Sequence, residues 1–461
     1  MFSKETYIER RKKLREHLDS GLIVLLGNRE SAMNYPGNPY HFRQDSSFLY
    51  FFGLDLPGFD GIIDIDENQE YIFGNDFTVD DIIWTGPQPT VSTLSARAGV
   101  NQTGDSVRFA EMIDTALKTK RVIHFLPPYR AENSVRLSTL LGIAPEFLKS
   151  YVSINLIRAV VALRSIKSGQ EVQEIEKALD VSYDMYTAAM QMARPGIYER
   201  EIVGKIEGIV GQYGSHIAFP TILSIHGETL HNHFHGNRLE ENHLLVIDSG
   251  AESPEHYASD ITRTLPVGGS FTPAQKEIYE IVLKSQLTAI EAVKPGKNFK
   301  EIHLQVAEVM VNGLKEIGLM KGDSREAVSQ GAHALFYPHG LGHMMGMDVH
   351  DMEDIGEDFV GYDKGVKRSD QFGLAYLRLA KELKPGYVFT VEPGIYFIPA
   401  LIDKWKTESK LNSFINYDKV EEYKDFGGIR IEDDVLVTKS GYRVLGNPIP
   451  KTIPEIEEAM K

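Results

Sequence analysis

Two stretches of this chain repeat one another at a distance of one hundred residues, and any fold it adopts has to accommodate both copies. Arg194-Pro195-Gly196 is followed by Glu201 and Ile202, and Lys294-Pro295-Gly296 by Glu301 and Ile302. In each copy a long amphipathic pattern ends at the Pro-Gly turn and a second helix begins shortly after. Ahead of the first turn, Val172, Ile175, Leu179, Tyr183, Tyr186 and Met190 recur at spacings of three and four, which predicts a helix with one buried face. The second copy opens on Thr272-Pro273-Ala274-Gln275, a capping-box spacing with proline at the first helical position, and Asn298 lies three before Glu301. Pro-Gly alone is a common turn dipeptide, but matching helices on both sides of it predict a domain of two similar halves related by a pseudo-twofold.

Five metal-ligating side chains close or interrupt apolar segments in this part of the chain. Asp248 ends the run 244–247, Asp260 opens the next extended segment with Thr262 and Thr264 on its face, and Glu392 follows the run 388–391. Ile429, Ile431 and Val435 alternate with Arg430, Glu432 and Asp434, so Arg430 and Glu432 share one face. His343 lies in a glycine-rich stretch with His339 and His350, where the glycines permit close backbone approach. A hairpin is expected to bring Asp248 and Asp260 together.

Taken singly, each acid reads as a strand cap or a solvent-facing group. Together, four carboxylates and one imidazole read as a buried, oxygen-rich site for two divalent cations. Carboxylates gathered at low dielectric repel one another strongly, and two dications balance them. Open positions on such a pair would hold a water with a pKa of about 7 and polarise a carbonyl, so hydrolysis is the expected chemistry. His231, His233 and His235 alternate and could share a strand face; one of them joined to the site is expected, rather than a metal box of all three.

Composition sets the remaining limits. At 461 residues, 42% hydrophobic and 25% charged, the chain can build at least two cored domains. A net charge of -16 leaves no basic stripe for nucleic acid, which points to small substrates. With no cysteine, disulfides, thiolate metal sites and a cysteine nucleophile are excluded. The charged start and the lack of an apolar run of about 20 residues predict a cytoplasmic protein without a membrane partner. Up to about residue 160, short apolar runs such as 22–26 and 61–65 alternate with turn-rich and helical segments, an α/β pattern. The aromatic-rich stretch 43–51 within it reads as a strand of a sheet core. A boundary between 157 and 169 separates a domain of residues 1–160 from one of residues 161–461.

These residues resemble the pita-bread metallopeptidases, specifically the branch holding prolidase and aminopeptidase P, over nearly the whole chain. The segments LLVIDSG, YASDITRT, HGLGH, TVEPGIY and GIRIEDD carry the resemblance. It implies an α/β (α+β) architecture: an N-terminal α/β domain, then a pseudo-twofold domain with a curved, mainly antiparallel sheet covered by helices. It also implies a dinuclear centre, usually manganese, with cobalt or zinc as alternatives. On that pattern Asp248 chelates one metal, His343 and Glu392 the other, and Asp260 and Glu432 bridge them, with a metal-bridging hydroxide as the attacking group.

The resemblance further implies that His231, in Leu230-His231-Asn232, donates a proton or binds the oxyanion. His350 would lie near the scissile carbonyl and His339 near a proline ring. Glu392 would shuttle a proton, and Arg430 would orient the centre or the substrate. The first domain, whose resemblance rests on RQDSSFLYFFG and Ile82-Ile83-Trp84-Thr85-Gly86, would close the cleft and help form a dimer or tetramer. The stretch 372–381 looks like the prolidase segment whose arginine, here Arg378, holds the free carboxylate of a dipeptide, and residues 397–426 look like the prolidase insertion. Cleavage of Xaa-Pro dipeptides is therefore expected. Aminopeptidase P action on longer proline-containing peptides is the alternative, and a non-peptidase or non-catalytic member of the fold is disfavoured because all five ligands are kept.

Overall fold

The apolar run Leu22–Leu26 forms an inner strand that pairs antiparallel with Asp60–Asp64 and parallel with Ile123–His124. Gln69–Phe73 and Gln102–Gly104 complete the five-stranded sheet on the far side of Asp60–Asp64. Helix Ser106–Lys118 offers Phe109, Ile113 and Ala116 on one stripe, and these close over Leu22, Val24, Ile62 and Phe73. Each Leu, Ile or Phe fully buried in this way contributes about 2 kcal/mol of hydrophobic stabilisation. In the computed structural model, which describes residues 1–461, this sheet belongs to the first of two compact units, Met1–Arg164 with Met352–Phe359. The second comprises Ser165–Asp351 and Val360–Lys461.

One expectation for the first unit is corrected. The aromatic stretch is helix Ser46–Phe52 and not a strand. Asp45 caps its N-terminus by accepting from the Phe48 N–H, Gly53 ends it in the left-handed conformation, and every one of its residues is buried. The cap and terminal glycine outweigh the β-propensity of the aromatics. Residues 82–85 fall on helix Val79–Thr85, started by a capping box between Thr78 and Asp81, with none of its residues buried.

In the second unit the repeat is realised as two helix pairs, Gly169–Met192 with Glu199–Gln212 and Pro273–Ala292 with Phe299–Glu316. Between the members of each pair the glycine of Pro-Gly takes a positive φ, +100° at Gly196 and +82° at Gly296, which a side chain would resist. Thr272 and Gln275 form the expected capping box, whereas Asn298 caps through the Lys300 N–H rather than with Glu301. The helix face is buried at Val172, Ile175, Leu179, Tyr186 and Met190, but Tyr183 is 36% exposed.

The halves also match in how they meet their strands. Tyr198 bridges Arg238 and Asn298 bridges Glu382, six residues ahead of the strands Leu244–Ser249 and Val388–Val391 respectively. The offset is 144 residues in both comparisons (382 − 238 and 388 − 244), and it carries Asp248 onto Glu392 (392 − 248). Leu244–Ser249 lies between Ile222–Ser224 and Ile261–Pro266, and Asp433–Val437 lies between Val388–Val391 and Tyr442–Val444, all antiparallel. The alternating segment expected to run unbroken through Glu432 divides instead into Gly428–Arg430 and Asp433–Val437. At the break the Glu432 N–H donates to the Thr262 carbonyl at 3.1 Å, joining one half to the other. No helix is long and apolar enough to cross a membrane.

Candidate metal centre

Leu244–Ser249 is buried throughout, and Asp248 is its one ionisable residue. The antiparallel register sets Thr262 opposite Asp248, so Asp260, two residues before Thr262, lies diagonally across on the same face. In the other half Val391 pairs with Asp433, and Glu392 and Glu432 leave their strands just beyond that pair. The loop carrying His343 is zipped against Val388–Val391. Thr390 N donates to the His343 carbonyl at 3.0 Å, His343 N to Thr390 Oγ1 at 3.1 Å, and Glu392 N to the Leu341 carbonyl at 2.9 Å. Gly342 is required for this approach, because a Cβ there would stand 1.9 Å from the Thr390 carbonyl oxygen.

These elements bring ligating atoms of Asp260, His343 and Glu432 within 4.8 Å of one another. His343 Nε2 is 3.4 Å from Asp260 Oδ2 and 3.6 Å from Glu392 Oε1. Glu432 Oε2 accepts from Thr262 Oγ1 at 2.6 Å, and Asp248 Oδ2 accepts from Arg430 Nη2 at 2.6 Å. Asp248 Oδ1 and Asp260 Oδ1, by contrast, are buried with no hydrogen-bond partner.

The electrostatics have one consistent cause. Burial, followed by the charge of neighbouring acids, pushes the Asp260 and Glu432 carboxyls well above their usual range. Burial also pushes Glu392 up to about 7, with Arg430 opposing and Asp248 adding to the rise. His343 is held well below its ordinary value by burial, then by His350 and Arg378, so its imidazole is neutral. Its Nδ1 lies 3.2 Å from the Met344 carbonyl, which fixes the proton there and turns the Nε2 lone pair toward Asp260 and Glu392. Lone pairs facing lone pairs, with carboxylate oxygens left unpaired beside them, are an arrangement that divalent cations relieve. The donor set of oxygens and one imidazole suits hard or borderline metals.

Around the acids, hydrogen bonds run from Asp248 through Arg430 Nη1 to Tyr396 Oη at 2.9 Å, and on from Tyr396 Oη to His339 Nε2 at 2.9 Å. His339 Nδ1 meets the Gly340 carbonyl at 2.7 Å, so both of its nitrogens are engaged. Burial, then Arg430, lowers His339 to about 3, which keeps the ring neutral. His350 packs edge-on against His343 at 4.3 Å between centroids, and Arg378 Nη1 touches the His350 ring.

His231 is exposed, and its pKa is lowered by partial burial and then by Arg430, with Asp248 acting in the opposite sense. The stretch 231–237 forms no strand, so His231, His233 and His235 share no strand face: His233 is exposed and His235 Nδ1 turns to the Leu223 carbonyl at 3.1 Å. Sequence periodicity put Thr262 on a strand face without a partner, and nothing in it pointed to Thr390 or Tyr396. The period-two alternation around Thr262 was the available signal. Tyr396 had none, because its hydroxyl reaches His339 and Arg430 only through the pairing of Gly394–Tyr396 with Gly428–Arg430.

A pocket of acids with one neutral imidazole, set where two repeated halves join, defines a metal-dependent hydrolase of the pita-bread type. Residues 173–439 match the model of metallopeptidase family M24, and residues 7–124 that of the aminopeptidase P N-terminal domain. The chain is 32% identical to the probable Xaa-Pro aminopeptidase pepP of Aspergillus clavatus over 97% of its own length and 94% of that protein's. It is 30% identical to the Xaa-Pro dipeptidase of Homo sapiens, over 95% and 88% respectively. Aminopeptidase P from Escherichia coli, solved with the inhibitor Pro-Leu, superposes with a TM-score of 0.80 at 28% identity, covering 100% of this chain and 98% of that one. The chain belongs to metallopeptidase family M24.

Proposed function

We propose that this metallopeptidase hydrolyses the bond between an N-terminal residue and proline, with residues 1–160 and 161–461 as its two domains. The observation carrying the proposal is the convergence of Asp260, His343 and Glu432, with Asp248 and Asp260 oxygens left unpaired beside them, in a chain whose relatives are named for Xaa-Pro cleavage. Asp248, Asp260, His343, Glu392 and Glu432 would hold two divalent cations, manganese by our reading, which supply an acidified water and a polarised carbonyl when bound.

The protein's own groups do the rest. Glu392, beside His343, takes a proton from the attacking water and passes it to the imino nitrogen as the bond breaks. Arg430 fixes the orientation of Asp248. His231 and His350 offer ring nitrogens to the substrate carbonyl. His339, with both nitrogens engaged, contributes its ring face to the proline side chain.

Arg378 supports the finer reading of dipeptide cleavage. It lies beside His350, where a guanidinium can hold a free carboxylate two residues from the N-terminus. The N-terminal domain match supports the second reading, aminopeptidase P action on longer peptides. Turnover of Gly-Pro and Ala-Pro but not Arg-Pro-Pro by manganese-loaded protein is the expected result. Equal or faster cleavage of Arg-Pro-Pro reverses the choice, and no turnover of any of the three sinks the function.

A further inference from the structure

The long helix Gly169–Met192 sends one side chain into the strand pair that carries the first two acids. Tyr186 is 1% exposed, and its hydroxyl accepts from the Ser249 N–H at 3.2 Å. The same oxygen makes a short contact with the Ile261 carbonyl and lies 3.1 Å from the Ile247 carbonyl. A phenol has one proton to give, and the closest acceptor is Ile261. Burial, then the Asp248 charge, pushes the Tyr186 pKa well above its usual value, so that proton stays in place. In the strand register Ser249 stands opposite Ile261. The hydroxyl thus enters this rung, taking the N–H of one strand and giving its proton to the carbonyl of the other. Asp248 precedes one of these residues and Asp260 the other.

The second half uses the same place in the repeat. One hundred residues on, helix Pro273–Ala292 carries Gln286, which is fully buried and donates to Asp433 Oδ2 at 2.7 Å, next to Glu432. In both halves the same position on the long helix reaches the residue that follows an acid of the site.

We propose that Tyr186 is a positioning residue of the metal centre: its hydroxyl, inserted in the Ser249–Ile261 rung, sets the separation and tilt at which Asp248 and Asp260 present their carboxylates. The proposal rests on the dinuclear reading above. Tyr186 touches no ligand atom and acts through the two peptide groups beside the aspartates. Outer partners of this kind typically change metal affinity by 10–100-fold when removed.

The test is calorimetric titration of Mn2+ into metal-free protein. Tyr186→Phe deletes one oxygen and keeps the ring, and it is expected to fold, as judged by circular dichroism, while binding at least one of two Mn2+ ions tenfold or more weakly. Tyr186→His, whose imidazole can both donate and accept, is expected to recover part of that loss. Unchanged Mn2+ affinity in Tyr186→Phe overturns the proposal whatever happens to its melting temperature, because a merely structural role predicts that result. Equal losses in the Phe and His variants overturn the hydrogen-bonding basis in the same way. Should Tyr186→Phe fail to fold, Tyr186→Leu is compared with Tyr186→His: Mn2+ binding at least tenfold weaker in the Leu variant than in the His variant supports the rung, and equal affinities in the two overturn it. Wild-type protein that takes up no Mn2+ removes the metal centre itself, and the role of Tyr186 with it.

Discussion

His303 and His333 face each other at 6.3 Å between ring centroids, both wholly inside the second unit. His303 Nε2 and both nitrogens of His333 have no protein partner. Burial lowers His333 to about 4 and holds His303 well below the ordinary value, with the His333 ring as a second cause for His303. A histidine that stays neutral in the fold yet protonates when unfolded makes the unfolded state bind more protons between pH 6.5 and 4. Stability contributed by keeping His333 neutral is therefore present above pH 6.5 and lost as the pH falls toward 4, by about 3 kcal/mol. Urea denaturation at pH 7, 5.5 and 4.5 is expected to show this slope, and His333→Gln to make it shallower. A variant with the same slope as wild type would assign the acid sensitivity elsewhere.

At the same scale, Arg263 places its donors on the Thr262, Glu432, Ile449 and Pro450 carbonyls and on Asp433 Oδ1. Burial opposes ionisation of Asp433, yet Arg263 and Lys451 outweigh it and hold the carboxyl at about 2. Removing one partner of a buried pair leaves the other uncompensated, a loss of about 3–5 kcal/mol. Arg263→Met is expected to lower the unfolding free energy by that order, read from its denaturation midpoint, with Lys451 softening the effect.

Among the elements, the ones that hold the site were legible to different degrees. Asp248 and Glu392 stood out because each ends an apolar run, a pattern set by burial along a single strand. Glu432 was legible as a candidate site residue, but the strand break around it was not, because the alternation of Ile429, Ile431 and Val435 runs on through it. What divides the strand is the bond from its amide to Thr262, a residue far away in sequence. Helix Ser46–Phe52 was misread for a related reason: its aromatics favour strands locally, while Asp45 and Gly53 decide the ends. Gly342 shows how tightly the His343 loop depends on its strand. Gly342→Ala is expected to push that loop off Thr390 and weaken Mn2+ binding at least tenfold with helix content unchanged, by titration and circular dichroism. Wild-type affinity in this variant would mean that the loop yields without cost.

At the level of the whole molecule, the repeat was readable from Pro-Gly and its helices because both copies keep the same turn glycine. The match between Asp248 and Glu392 required the strand register as well, since 144 residues separate the acids but only one hundred separate the turns. Ligand binding to the folded state alone stabilises it by mass action, by about 3 kcal/mol per site at one hundred times the dissociation constant. Chelation is therefore expected to lower the melting temperature and added Mn2+ to restore it, with proton release on binding as the carboxyls ionise. A melting temperature indifferent to chelator would argue against any cation in this pocket.

The bond from Glu432 to Thr262 gives the molecule a seam, and cations bound to acids from both sides of it would act as rivets. Withdrawing them should let this line open on its own while each half keeps its helices and strands. In hydrogen–deuterium exchange, the Glu432 amide would then become a fast reporter of the metal-free protein, ahead of amides inside Leu244–Ser249 or Val388–Val391.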